Sequence, residues 1–265
     1  MSLQARKRFG QHFLTDEYFI QQIISVIAPQ AQQHIVEIGP GLGALTKHLL
    51  PLAGQLTLIE IDRDLIPKLH RQYQTLSNLH IIQADALSYD FTSLSPKPLR
   101  ICGNLPYNIS TPLLFHLLQQ VSDIQDMHFM LQKEVVSRLC AAVNTPSYGR
   151  LSIMVQYFCQ AFSLLDVPPD AFSPPPRVNS SVVRLQPYRQ LPIVAQDFTH
   201  FANIVRIAFN QRRKTLRNVF KGLLTQDDFA QLALDPMLRP EQLSITHYVK
   251  ISNMVLSQEL HKTKD

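Results

Sequence analysis

The chain has 265 residues, 45% of them hydrophobic and 17% charged, with 25 Lys and Arg against 20 Asp and Glu. That length supports one large domain or a domain with a small appendix, and that composition excludes a disordered or collagen-like chain. The net charge of +5 suits a polyanionic partner.

The first residues, "MSLQARKRFGQHFL", are basic and lack an apolar signal core. No apolar run reaches spanning length, so a cytoplasmic monomer without a membrane partner is expected. From Gln33 to about Gln132 strand and helix patterns alternate. "HIVEI", "QLTLIEI", "LHIIQ", "LRICGN" and "MHFMLQ" read as strands. "LTKHLLPLA", "DLIPKLHRQYQ" and "STPLLFHLLQQV" read as the helices between them, and "KEVVSRLCAAV" as a further helix. Such alternation predicts an α/β fold with a doubly wound, mostly parallel sheet. The apolar run "LSIMVQYFCQ" is taken as helix. "FSLLDVP" and "SSVVRLQ" are taken as an antiparallel pair at one sheet edge, making seven strands. After "QPYRQLPIVAQD" the patterns are helical: "FTHFANIVRIAFNQRRKTLRNVFKGLL", "DDFAQLAL" and "THYVKISNMVLSQEL". The expected division is a catalytic domain over 1–187 and a small helical domain over 188–265.

Three strand ends carry candidate chemistry. "VEIGPGLGALT" runs a strand into Gly39, Gly41 and Gly43 and then a helix, letting a nucleotide approach the backbone. Gly39, Gly41 and Ala44 also fit the dinucleotide spacing, so glycine spacing leaves NAD and S-adenosylmethionine both open. Glu60 closes the next strand about 20 residues on, where a carboxylate takes ribose hydroxyl protons; Glu37 and Asp62 are alternatives. Asp85 follows the third strand and is a candidate acceptor for an adenine amine.

The fourth strand ends in Asn104-Leu105-Pro106-Tyr107. Pro106 cannot extend a ladder. An exocyclic adenine amine is a poor nucleophile, because its lone pair is delocalised into the ring. Two acceptors on its protons, the Asn104 side-chain oxygen and the Leu105 carbonyl, favour a more tetrahedral nitrogen. Pro106 stiffens the turn and Tyr107 offers a face on which a base stacks. This stretch suits an amine methyltransferase better than a dehydrogenase.

Two basic segments suit a phosphate backbone: Arg6, Lys7 and Arg8, and the run with Arg206, Arg212, Arg213, Lys214 and Arg217. Helical spacing would set Arg206, Arg213 and Arg217 on one face. The ten histidines show no ligand spacing and Cys102, Cys140 and Cys159 form no C-x-x-C pair, so no metal is expected.

"KRFGQHFL", "VEIGPGLGALT", "NLPYNIST", "AFSPPPRVNSSVVRL", "FNQRRKTLRN" and "LRPEQLS" together resemble the small-subunit ribosomal RNA adenine dimethyltransferase family. The match runs in order along nearly the whole chain. The resemblance implies a Rossmann-like class I methyltransferase fold and S-adenosylmethionine as donor, leaving as S-adenosylhomocysteine. It implies dimethylation of the N6 nitrogens of two adjacent adenines near the 3′ end of 16S rRNA, in a preassembled small subunit. It assigns donor contacts to His12, Leu14, Gly39, Glu60, Asp85 and Asn104, and puts Tyr107 and Phe172 on the two faces of the target adenine. The family often has Asn where this chain has His12. The erythromycin-resistance 23S rRNA methyltransferases share the glycine loop, and a ribosome-assembly factor acting mainly by binding is a further alternative; "FNQRRKTLRN" and "LRPEQLS" favour the small-subunit enzyme.

Overall fold

A stripe of isoleucines starts the described chain, which in this computed structural model comprises residues 12–73 and 76–262. A short strand, β1 (Phe13–Leu14), precedes helix α1 (Glu17–Ile27). Asp16 caps α1, its side chain accepting from the Tyr18 and Phe19 N–H groups. Ile20, Ile23, Ile24 and Ile27 repeat at helical spacing and are all buried. The strand and helix assignments made from sequence begin only at Gln33, so α1 is an addition to them.

Strands β2 (His34–Ile38), β3 (Gln55–Glu60), β4 (Leu79–Gln83), β5 (Leu99–Asn104) and β6 (Ile124–Gln132) are parallel, as their patterns predict. Helices α2 (Thr46–Leu49), α3 (Ile66–Tyr73) and α4 (Ser110–Leu118) join them, and α5 (Lys133–Leu139) follows β6. Every residue of β2 is buried, as expected of a strand covered on both faces. Helix α6 (Arg150–Gln156) leads to β7 (Cys159–Val167). The two-residue β8 (Phe172–Ser173) pairs antiparallel with β1, setting Leu14 opposite Phe172 and Phe13 opposite Ser173. Strand β9 (Ser180–Pro187) lies between β6 and β7, antiparallel to both. The sheet order is β4-β3-β2-β5-β6-β9-β7. The seven-stranded, mostly parallel sheet and its antiparallel edge pair are therefore present. One expectation needs trimming: "LSIMVQYFCQ" is helix only to Gln156, because Cys159 and Gln160 satisfy their backbone groups in the ladder opposite Pro187 and Gln186.

A buried ion pair ties α1 to the sheet. Arg100 on β5 and Asp126 on β6 are register partners, and the guanidinium binds both carboxylate oxygens at 2.8 and 2.9 Å. It also donates to the Ile27 and Ala28 carbonyls at the end of α1. Those carbonyls lack helical partners, so one side chain closes the helix and fixes its place.

The chain forms two compact units. One holds the residues up to Val136 together with Cys159–Pro187; the other holds Ser137–Phe158 and the chain from Tyr188. The expected cut after residue 187 thus misses one exchange: Ser137–Phe158 belongs with the helical unit. Its aromatics explain why. Tyr157 lies 4.9 Å from Phe201, ring to ring, and Tyr148 lies 6.5 Å from Phe209 while its hydroxyl donates to the Leu243 carbonyl. The same unit contains α7 (Phe198–Asn210), α8 (Leu216–Val219), α9 (Gln226–Gln231) and α10 (Ile245–Lys262). The long helix read over 198–224 is broken. The Leu216 and Arg217 N–H groups donate to the Leu238 and Pro236 carbonyls instead of to the preceding turn. Arg206, Arg213 and Arg217 therefore do not share a helix face. Among the described residues no helix is long and apolar enough to cross a membrane.

Candidate active site

The chain runs outward from β2 to β3 and β4 on one side of the sheet, then returns to β5 and β6 on the other. The reversal falls between β2 and β5, and ligands of open α/β sheets bind at the carboxyl ends of such strands. Here those ends carry Gly39 and Asn104. A side chain at Gly103 would run into the Ile38 carbonyl oxygen, so glycine is what lets β5 approach β2 there.

A cavity of about 320 Å³ opens at this point. His12, Leu14, Gly39, Gly41, Glu60, Asn104, Leu105, Pro106 and Tyr107 all line it. Gly41 has φ +59°, a conformation costly for a residue with a Cβ, and its N–H donates to Glu60 Oε2 at 3.2 Å. Glu60 Oε1 accepts from the Asp62 N–H at 2.9 Å. Burial raises the Glu60 carboxyl above its usual range, against the pull of these backbone donors.

Glu37, weighed in the sequence as an alternative to Glu60, has a place of its own in the cavity wall. It is fully buried on β2 and accepts from the Thr46 hydroxyl at 2.6 Å. Burial pushes its carboxyl up to about 7, and the nearby Glu60 charge adds to the shift. The wall holds three carboxylates, Glu17, Glu37 and Glu60, against one ammonium, Lys47, which pairs with Glu17 at 2.8 Å. Burial holds Glu37 and Glu60 towards their neutral forms, and a cationic group placed beside them would favour their ionisation.

On the opposite wall the Asn104 side-chain Nδ2 donates to the His12 carbonyl at 2.9 Å. The same amide's oxygen is thereby turned away from that carbonyl. The Tyr107 hydroxyl shares a 2.8 Å hydrogen bond with Ser180 Oγ on β9, which anchors the ring. The His12 ring stacks against Tyr107 with centroids 6.0 Å apart and an interplanar angle of 30°.

Two expected site residues lie elsewhere. Phe172 is 4% exposed and packs in the hydrophobic core with Leu14, Val167 and Ala171, so it does not line the cavity. Its pairing opposite Leu14 turns it inward. Asp85 is exposed after β4, its carboxylate taken by the Leu87 N–H in a turn, and it also falls outside the cavity wall. Gln72 and Lys47 are lining residues that the sequence did not single out. Lys47 lies on the helix that continues from the glycine loop, its N–H bonded to the Gly43 carbonyl, whereas Gln72 comes from α3, whose Tyr73 hydroxyl reaches the Gly43 carbonyl, a placement with no local motif. Among the described residues no group of three or more His, Cys, Asp or Glu side chains could hold a metal.

The candidate RNA contacts are dispersed. Arg206, Arg213, Lys214 and Arg217 are exposed, but Arg206 bonds Asn203 within α7. Arg212 donates to the Pro146 carbonyl at 2.8 Å and faces Glu241 at 3.7 Å, which makes it an internal tether. Arg217 and Lys221 line a second, polar cavity of about 640 Å³ in the helical unit. Arg6, Lys7 and Arg8 lie outside the described residues.

Comparison with known proteins agrees with this geometry. Residues 2–256 match the family model described as Ribosomal RNA adenine dimethylase. The Ribosomal RNA small subunit methyltransferase A of Shewanella sp. (strain MR-7) is 51% identical over 257 residues, 96% of each chain. That of Coxiella burnetii (strain CbuG_Q212) is 51% identical over 251 residues, 94% of this chain and 97% of its own. Among solved structures, a dimethyladenosine transferase from Plasmodium falciparum superposes with a TM-score of 0.76 at 28% identity, over 91% of this chain and 96% of that one. The 23S rRNA methyltransferase ErmE reaches 0.72 at 20% identity, over 92% and 99%, a likeness of fold. With the glycine loop, the buried carboxylates and the Asn104–Tyr107 turn converging on one cavity, the chain belongs to the ribosomal RNA adenine dimethylase family.

Proposed function

We propose that this enzyme transfers methyl groups from S-adenosylmethionine to the N6 nitrogens of two adjacent adenines near the 3′ end of 16S rRNA. Each adenine is dimethylated, within an assembling small ribosomal subunit in the cytoplasm. The observation that carries the reading is the meeting, in one cavity, of the glycine loop with the Asn104–Tyr107 turn.

The residues present fit such a donor. Glu60 offers carboxylate oxygens for ribose hydroxyls, beside a backbone that Gly39 and Gly41 leave open. Burial raises the Glu37 and Glu60 carboxyls, and a cationic ligand beside them would draw both back towards the ionised form. When bound, S-adenosylmethionine supplies an electrophilic methyl on a positively charged sulfur. Everything else falls to the chain. Asn104 Oδ1 and the Leu105 carbonyl accept from the two amine protons and turn the nitrogen lone pair out of conjugation. Pro106 limits the motion of that turn, and Tyr107, held by Ser180, orients the adenine ring by stacking. No strong base is required, because the methylated nitrogen is acidic enough to release its proton to solvent.

Incubating the protein with labelled donor and undermethylated small subunits tests the reading. Label should appear on two adjacent adenines of the small-subunit RNA. No label, or label away from adjacent adenines, would overturn it, as would labelling of large-subunit RNA alone when both subunits are supplied.

A further inference from the structure

We propose that Ser180 is a positioning residue for methyl transfer: its buried hydroxyl fixes the rotation of the Tyr107 ring and, through that ring, the place of the target amine against Asn104 and Leu105. The proposal rests on the adenine-methyltransferase reading above and extends it to a residue of a distant strand that does not itself line the cavity.

The turn that carries Tyr107 is held through its backbone. The Leu105 N–H donates to the Met130 carbonyl at 3.2 Å, the Ile109 N–H donates to the Pro106 carbonyl at 3.2 Å, and the Ser110 hydroxyl donates to the Tyr107 carbonyl at 3.1 Å. None of these bonds restrains the two side-chain torsions that aim the ring. The 2.8 Å bond between the Tyr107 hydroxyl and Ser180 Oγ does so, because it fixes the far end of the ring. A phenylalanine would offer a base the same face for stacking. What the tyrosine adds is the hydroxyl, and the hydroxyl is spent on the tether.

Ser180 suits the task because its backbone is clamped. It opens β9, is paired with Gln132 of β6 on one side and Val167 of β7 on the other, and is 1% exposed. Its neighbour Ser181 is equally buried but points to the opposite face of the strand, and its hydroxyl donates to the Leu165 carbonyl within the sheet. Two adjacent serines thus divide the work: one serves the ladder and the other reaches the Tyr107 ring. Asn104 ends β5 opposite Met130 of β6, and Ser180 stands opposite Gln132 of the same strand. The amine acceptor and the ring tether are therefore both referred to β6. With the tether made, ring and acceptor hold one relative geometry before a base arrives. Without it the ring swings, and the amine spreads over unproductive positions.

Steady-state methylation of undermethylated small subunits by the full chain tests this, with calorimetry counting donor sites and measuring the Kd for S-adenosylmethionine in each variant. Ser180→Ala should lower kcat about tenfold per donor-binding site, the effect of losing one hydrogen bond that acts in the transition state. KM for subunits should stay within about threefold and donor Kd within about twofold. Tyr107→Phe, which keeps the stacking face and cuts the tether from its other end, should give the same fall. The double variant should be no worse than either single change, since both delete one bond. Ser181→Ala should lower the melting temperature and leave kcat within about twofold. An unchanged kcat in Ser180→Ala or Tyr107→Phe overturns the proposal. So do losses that multiply in the double variant, losses confined to KM or donor Kd, and an equal fall in kcat for Ser181→Ala. Should Ser180→Ala hold too few donor sites to assay, Tyr107→Phe decides alone by the same measure. A wild type that transfers no methyl to small subunits overturns the methyltransferase reading itself, and this proposal with it.

Discussion

Asn104 donates its side-chain Nδ2 to the His12 carbonyl at 2.9 Å. That bond sets which end of the amide faces the cavity, an orientation inferred from the hydrogen-bond network. It leaves the oxygen as the acceptor for an incoming amine. Asn104→Ala removes this acceptor, and kcat should fall about 100-fold or more, as when a preorganised transition-state partner is deleted. Asn104→Asp keeps an oxygen but sets a carboxylate against the His12 carbonyl, so its kcat should lie between the two. Single-turnover transfer of labelled methyl groups measures both.

Glu37 should make the binding of a cationic donor a proton-releasing event. Burial raises its carboxyl from 4.5 to about 7, with the Glu60 charge adding and the Thr46 hydroxyl opposing. The protonated form is thus favoured in the folded chain. Its contribution to stability is complete below about pH 4.5 and is lost as pH rises through about 7. A cationic donor in the cavity favours the ionised form. Calorimetric titration near pH 7 in two buffers of different ionisation enthalpy should show proton release on binding. Glu37→Gln should abolish that release and flatten the stability profile between pH 5 and 8.

Asp126 should be costly to neutralise. Asp126→Asn leaves the Arg100 guanidinium buried with half a partner, and the loss should be about 3–5 kcal/mol in urea unfolding. His128, in the same cluster, is held down to about 4, mainly by burial, with the Arg100 and Arg184 charges adding and Asp126 opposing. The folded chain favours its neutral form. That stability is present above pH 6.5 and is lost as pH falls towards about 4. Unfolding midpoints of the wild type should therefore drop across this window, and a His128→Leu chain should lose that part of the slope.

The exposed basic residues of the helical unit divide by partner. Neutralising Arg213, Lys214 and Arg217 should weaken binding to small-subunit RNA and flatten its salt dependence, by about 0.7–0.9 in slope for each phosphate no longer neutralised. Arg212→Ala should lower the melting temperature instead, since its guanidinium is held by Pro146 and Glu241. Filter binding across a salt series, with a melting curve for each variant, separates the two effects.

Local pattern carried most of the architecture. The short apolar stretches of β2, β3 and β5, each with β-branched residues and set between turn signals, read as buried strands, and the strand-end motifs Gly39–Gly43, Glu60 and Asn104–Tyr107 mark one edge of the sheet. Each is a short-range signal: a residue's own backbone freedom, or a proline that stops a ladder. Pairings across the chain are invisible at that range. The antiparallel pairing of β1 with β8, 158 to 160 residues apart in its register, turns Phe172 inward and sets His12 beside Tyr107. The bonds from Leu216 and Arg217 to Leu238 and Pro236 break a helix whose local propensity is unbroken. Residue types and spacing point to a nucleotide-like donor and to an adenine amine as acceptor. Tertiary packing decides which carboxylates are buried beside the donor and which ring faces Tyr107, because burial and contact are set by distant segments.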